Sequence, residues 1–234
     1  MTDQCKTGLL MIAMGLITFA SMVLTTVPDI EESNGEALDF YAGATGPTKT
    51  FFAFYLCVAA VVLVFTWVSQ LRRRIEDAGG RFPSSVPMAT AGYGALALAG
   101  GASFLLPTAY THLGFNTKGG EIEPLFMRTA SAMGDAFALL AAPVLLGLTV
   151  AGVCWASRPT NALGRGIRGS GYIVGGLLLA GWTWFPTLLF VLWSVVAGIF
   201  VVARAPRRPS DQAGAATDGL RTSVSVGQVE APGR

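Results

Sequence analysis

The chain has 234 residues, 52% of them hydrophobic and only 13% charged, with a mean hydropathy of +0.55. Soluble domains carry roughly a quarter charged residues, so this balance predicts an integral membrane protein whose first partner is the lipid bilayer. A net charge of +2, with the arginines clustered beside apolar runs, excludes a nucleic-acid surface.

The first apolar run, Gly8 to Val27, follows Lys6 and has no A-x-A-like site near Thr25, Thr26 and Val27, so a retained anchor is expected rather than a cleaved signal. The second, Phe51 to Leu71, ends at Arg72, Arg73 and Arg74. The third runs from Met88 to about Tyr110, and the fourth from about Thr129 to Trp155 with Pro143 inside it, where a proline removes a backbone donor and predicts a kink. The last stretch, Gly171 to Ala203, is too long for one crossing and short for two, since a span needs about 20 helical residues.

Charge resolves that ambiguity. Alternate connections place Lys6, Arg72, Arg73, Arg74, Arg81, Arg158, Arg165 and Arg168 on one side, against Lys49, Lys118 and Arg128 on the other. The positive-inside rule makes the first set, and hence the N-terminus, cytoplasmic. Arg204, Arg207 and Arg208 after the last run belong inside as well, which requires an even number of spans. The expectation is therefore an all-α, polytopic transmembrane helix bundle of six spans over residues 1–204, with five spans as the alternative. The turn between the last two helices falls in WTWFP, Trp182 to Pro186, and residues 205–234, rich in Ala, Gly, Ser, Thr and Pro, form a disordered cytoplasmic tail.

Membrane helices associate through close packing at small residues. Ala91, Ala95, Ala99 and Ser103 recur every four residues on the third helix, and Gly171 and Gly175 form a GxxxG pair on the fifth. Packing inside one bundle is the first reading of both; a contact with a second copy or another membrane protein is the alternative.

Few chemical handles remain. In TASAMGDAFALLAAP, Thr129 to Pro143, a single carboxylate interrupts an apolar helix. A charge at the centre of a span costs about 2.5 to 3.5 kcal/mol on insertion scales, so a buried one has a partner or a task. On a helical wheel Asp135 shares its face with Ser131, Ala138 and Ala142, which points it toward another helix, with Thr108 and Tyr110 as hydroxyls in reach. His112 and Tyr110 complete the candidate polar site. The competing reading counts back from Trp155 and puts Asp135 at headgroup level near a helix start, where the macrodipole favours a carboxylate. A carboxylate pair with Glu121 or Glu123 depends on a separation that sequence alone does not give.

GRGIRG, Gly164 to Gly169, satisfies the G-x-G-x-x-G pattern, but a dinucleotide fingerprint joins a strand to a helix, so a flexible basic loop near anionic headgroups is expected instead. Three scattered cysteines, Cys5, Cys57 and Cys154, and one histidine predict no disulfide framework, no metal site, no cofactor and no nucleophile with a neighbouring base. LGRGIRGSGYIVGGLLLAGWTWFPTLLFVLWSVVAGIFVVAR resembles the closing helix pair of small, roughly six-helix bacterial integral membrane proteins of unknown function, through its basic Gly-containing entry, Gly/Leu helix, and final helix with Trp193 before Arg204. That resemblance implies a helix bundle in a bacterial plasma membrane and carries over no activity or functional residue. The first functional expectation is a non-enzymatic accessory, assembly or sensing component; the second is a small proton- or cation-linked transporter using Asp135.

Overall fold

The computed structural model describes residues 3–25, 35, 39–41, 43, 45–112, 123–180 and 185–204. Six helical rods stand among them: α1 Asp3–Leu24, α2 Thr45–Asp77, α3 Ser85–His112, α4 Pro124–Ala156, α5 Arg165–Ala180 and α6 Phe185–Ala203. There is no strand among the described residues. Five of the six, all but α5, are long and apolar enough to cross a membrane, as expected of a membrane protein. The final apolar stretch is divided into two helices, α5 and α6; the proposed turn residues Trp182 to Trp184 lie outside the described residues, as does the tail after Arg204.

Local sequence explains the helix ends. Gly79 takes φ +78° after α2, and the amides of Gly79 and Gly80 return to the carbonyls of Glu76 and Ile75 at 2.9 and 2.7 Å. This is the Schellman stop, in which only glycine enters the left-handed region without strain. Pro124 opens α4 behind an extended Glu123, where a missing amide costs nothing. GRGIRG is not a loop after Gly164: α5 begins at Arg165, and Arg168 reaches back so that its Nη1 donates to the carbonyls of Ser157 and Arg158 at 3.5 and 3.4 Å. A guanidinium there complements the negative end of α4, which favours helix over loop.

The helices form a closed ring in chain order, each packing mainly on its sequence neighbours, with α6 returning against α1. Every neighbouring pair is antiparallel. Thr7 faces Gln70 while Ser21 donates to the Ala53 carbonyl at 3.0 Å, which sets α1 against α2. Gly94 lies against Phe65 and Gly101 against Phe54 between α2 and α3. Thr90 meets Thr149 at 3.3 Å and Gly134 holds Phe104 between α3 and α4. Gly147 touches Leu178 and Cys154 touches Gly171 between α4 and α5. Trp193 Nε1 donates to Ser170 Oγ at 3.0 Å and Arg204 lies beside Gly164 between α5 and α6. Gly8 and Gly15 meet Gly198 and Ser194 at the closure. A ring with all neighbours antiparallel closes only with an even number of helices, so the start of α1 and the end of α6 share one end of the bundle. Lys6, Arg72, Arg73, Arg74, Arg158, Arg165, Arg168 and Arg204 gather there, and we refer to it as the basic end.

A buried apolar cluster runs through the ring on that side. Met11, Met14, Val64, Trp67, Leu71, Val150, Val174, Phe190 and Trp193 belong to one buried cluster, with the Trp67 and Trp193 rings edge to face at 6.4 Å. Gly171 and Gly175 are buried against α4, where a Cβ on Gly175 would lie 3.0 Å from the Gly147 carbonyl. The alanine stripe of α3 behaves otherwise: Ala91, Ala95 and Ala99 are exposed, and only Ser103 is buried. The face of α3 that packs is Thr90, Gly94, Ala97 and Gly100. The packing face is therefore not the stripe of alanines every four residues, because Gly94 and Gly100 admit Phe65 and Ala138 more closely than any alanine would.

Candidate functional site

α4 carries the local feature on which the site depends. It is α-helical over Pro124–Asp135, π-helical over Ala136–Ala141 and α-helical again over Ala142–Ala156. Pro143 explains the irregularity. A proline in a helix interior has no amide to donate and its ring crowds the carbonyl four residues back. Widening the preceding turn relieves the crowding: the Ala142 amide reaches Phe137 O, five residues back. Proline supplies no donor next to it, so the Ala138 carbonyl loses the helical partners it would otherwise have. Such π turns inside α-helices recur at functional sites.

Asp135 is the last residue before the π turn. It is not near a helix start, since α4 begins at Pro124 and the carboxylate stands about 16 Å along it at 1.5 Å per residue. The macrodipole reading therefore falls, and its reason is the helix start itself: proline at the first position let α4 begin well before Thr129. Asp135 is half-buried, and its face is the one expected, with Ser131 and Ala142 buried and Met133 and Leu140 exposed on the other sides.

It borders a cavity of about 490 Å³ in the half of the ring away from the basic end. α1 contributes Thr18, Phe19, Ser21, Met22, Val23 and Thr25 to the wall, α2 contributes Thr50, Phe54 and Cys57, and α3 contributes Tyr93, Ala97, Gly101 and Phe104. Asp135, Ala138, Leu139, Ala142 and Pro143 come from α4, and Thr187 and Leu188 from α6. α5 contributes no residue to the described wall. Its described residues, Arg165–Ala180, pack between α4 and α6 toward the basic end.

The wall is mostly apolar, and most of its hydroxyls are already engaged with backbone. Thr18 donates to Met14 O at 2.8 Å, Thr50 to Gly46 O at 3.0 Å and Thr25 to Ser21 O at 2.7 Å, each back along its own helix. The Cys57 thiol points to the Ala97 carbonyl at 3.6 Å. Thr187 Oγ1 is buried without a hydrogen-bond partner. Asp135 is the only acid among the described lining residues, which include no lysine or arginine.

The other two candidates lie elsewhere. His112 ends α3, where its Nε2 stands 2.9 Å from the Tyr41 carbonyl and ties the connection after α1 to the bundle. Tyr41 is fully buried beside Met127. Burial raises its phenol pKa and the nearby Ser131 side chain lowers it part of the way back, although the two hydroxyls do not meet in hydrogen-bonding geometry. Tyr110 is exposed, with its ring 5.9 Å from that of Phe126. Thr108 is buried with no hydrogen-bond partner, so it does not serve Asp135. Glu121 lies outside the described residues, and Glu123 stands at the N-cap of α4, about 18 Å along the axis from Asp135 and too far to share a proton with it. Among the described residues no group of three or more His, Cys, Asp and Glu could hold a metal ion.

Sequence reading missed Thr18, Thr50, Cys57, Tyr93 and Thr187 as neighbours of Asp135. The available signal was a set of small polar residues in several helices away from the basic end, but a hydroxyl in a helix is ordinarily satisfied by its own backbone, as those of Thr18 and Thr50 are.

Fold and site together define a class: a ring of helices, five of them long and apolar enough to cross a membrane, with an acid-bearing cavity in the half away from the basic end. Compared with protein-family models, curated proteins and solved structures, the chain matches none.

Proposed function

We propose that this chain is a multi-pass protein of a bacterial plasma membrane that crosses six times, with both ends in the cytoplasm, and works without catalysis as a ligand-binding accessory or sensing component. The observation that carries this reading is the division of the ring, with a drug-sized cavity beside Asp135 in one half and a packed core closing the other. A bundle closed on one side holds a molecule rather than passing it. Six crossings are supported by the antiparallel closure of α6 on α1, and orientation by the arginines gathered at the end where both meet. α5, though short, fits a crossing with local thinning, which costs only fractions of a kcal/mol per Å of mismatch.

The π turn and Pro143 favour a second reading, a small proton- or cation-linked permease, because an irregular turn beside an intramembrane acid is a place where α4 can bend. One experiment tests both. Protein extracted in mild detergent is expected to carry a small molecule detectable by native mass spectrometry, and Ala97→Leu, which fills the cavity, is expected to lose it. Retention of the same molecule by Ala97→Leu would remove the cavity from consideration. Flux of that molecule in sealed proteoliposomes would select the permease.

A further inference from the structure

We infer that the cavity away from the basic end is a site for an uncharged lipophile, a hydrocarbon body without an ionised group; this rests on the ligand-binding reading above and names the class of its ligand. Size comes first. The space of about 490 Å³ falls within the 300 to 1,000 Å³ typical of organic ligands, and is about three times an apolar cavity of roughly 150 Å³ that suffices for benzene. A proton or a metal ion needs far less room.

Polar demand decides the chemistry. The donors of the wall are turned to carbonyls of the bundle itself: Thr18, Thr25 and Thr50 back along their own helices, Ser21 to Ala53, and the Cys57 thiol to Ala97. Asp135 has an interaction of its own within the chain, and no lysine or arginine stands among the described lining residues. An ion entering this space would shed its water, at several kcal/mol, against a described wall with no free opposite charge to offset the loss. Thr187 Oγ1, buried without a partner, is the exception. One hydroxyl bond contributes only about 1 kcal/mol, which suits a single uncharged polar group and not an ion. Water fares no better, since it needs two to four polar partners to settle in a cavity. Hydrocarbon needs none, and it restores dispersion contacts to Met22, Val23, Leu139 and Leu188 across the space. Two sources supply that chemistry, the acyl chain of a membrane lipid and a free neutral lipophile.

Photolabelling of the full chain in phosphatidylcholine nanodiscs tests both the class and its source. Three probes share one alkyl chain with a diazirine beside the head, and differ only in that head: an alcohol, a primary ammonium and a sulfonate. Site labelling is the part displaced by an excess of the same compound without its diazirine, read by peptide mass spectrometry at Met22, Leu139 and Leu188. The alcohol is expected to label the site at least fivefold more than either ion. Ala97→Leu, which fills the cavity, is expected to lower that labelling at least fivefold; if this variant fails to fold, the displacement measured on the native chain decides. A fourth probe, phosphatidylcholine with a diazirine midway along one acyl chain, separates the sources. Labelling of the same residues by it, displaced by the alcohol, assigns the site to a resident lipid chain, whereas labelling by the alcohol alone assigns it to a free lipophile. Site labelling by the ammonium or the sulfonate equal to or above that by the alcohol would overturn the uncharged class and leave the ligand-binding reading standing. No displaceable labelling by any of the four probes would overturn both.

Discussion

Gly8 of α1 and Gly198 of α6 meet backbone to backbone: a Cβ on Gly8 would lie 2.7 Å from the Gly198 carbonyl, and a Cβ on Gly198 would lie 2.6 Å from the Gly8 carbonyl. This contact closes the ring. Neither carbonyl is a flexible side-chain end that could swing aside, so a larger residue must push the helices apart. Gly198→Val is expected to cost about 1 to 3 kcal/mol, the usual range for overpacking, and to lower the detergent melting temperature. Gly176→Val, where nothing lies within 4 Å of the added Cβ, is the control and should change it little.

The π turn makes a prediction about chain length rather than side chains. A π bulge amounts to one extra residue in an α-helix. In a Pro143→Ala chain, where the crowding is gone, deleting Leu140, which is exposed within Ala136–Ala141, is expected to return that turn to α-helix and leave both flanking faces in register. Deleting Leu148 in the same chain, equally exposed but in the regular part of α4, rotates everything on one side of it by about 100° and should abolish the folded peak in size-exclusion chromatography. Equal damage from both deletions would contradict the π assignment.

Trp193 Nε1 and Ser170 Oγ form a direct side-chain bond between α5 and α6, at 3.0 Å. Ser170→Ala leaves an indole donor without its partner. Such bonds within membrane bundles average about 0.6 kcal/mol, so a loss of about 0.5 to 1.5 kcal/mol is expected in reversible unfolding. Trp193→Phe removes both the donor and the edge contact with Trp67 and should cost more. The double variant is expected to cost less than the two singles added, because the shared bond can be lost only once.

Six crossings predict that both ends of the chain report the same compartment. A phosphatase fused after Arg204 should be inactive and a fluorescent protein there should be bright, as for a fusion before Asp3. A cysteine placed at Lys49, at the opposite end of the ring from Arg72 to Arg74, should react with an impermeant maleimide in intact cells. Opposite compartments for the two ends would leave five crossings.

Sequence by itself determined the class of protein and its coarse organisation: apolar runs long enough to span, basic residues on alternate connections, a divided final stretch, and the small-residue face on which Asp135 lies. These are local properties, set by hydropathy and by the 3.6-residue period, and no other part of the chain is needed to read them. The tertiary structure decided three things that depend on distant residues. Ala91, Ala95 and Ala99 turned outward because glycines on another face of α3 allowed closer contact with Phe65 and Ala138. Asp135 lost its place at a helix start because α4 began at Pro124, and it gained a π turn because Pro143 could not continue an α-helical ladder. The cavity is bounded by residues of α1, α2, α3, α4 and α6, a relation among helices separated by most of the chain's length, which no window of sequence contains.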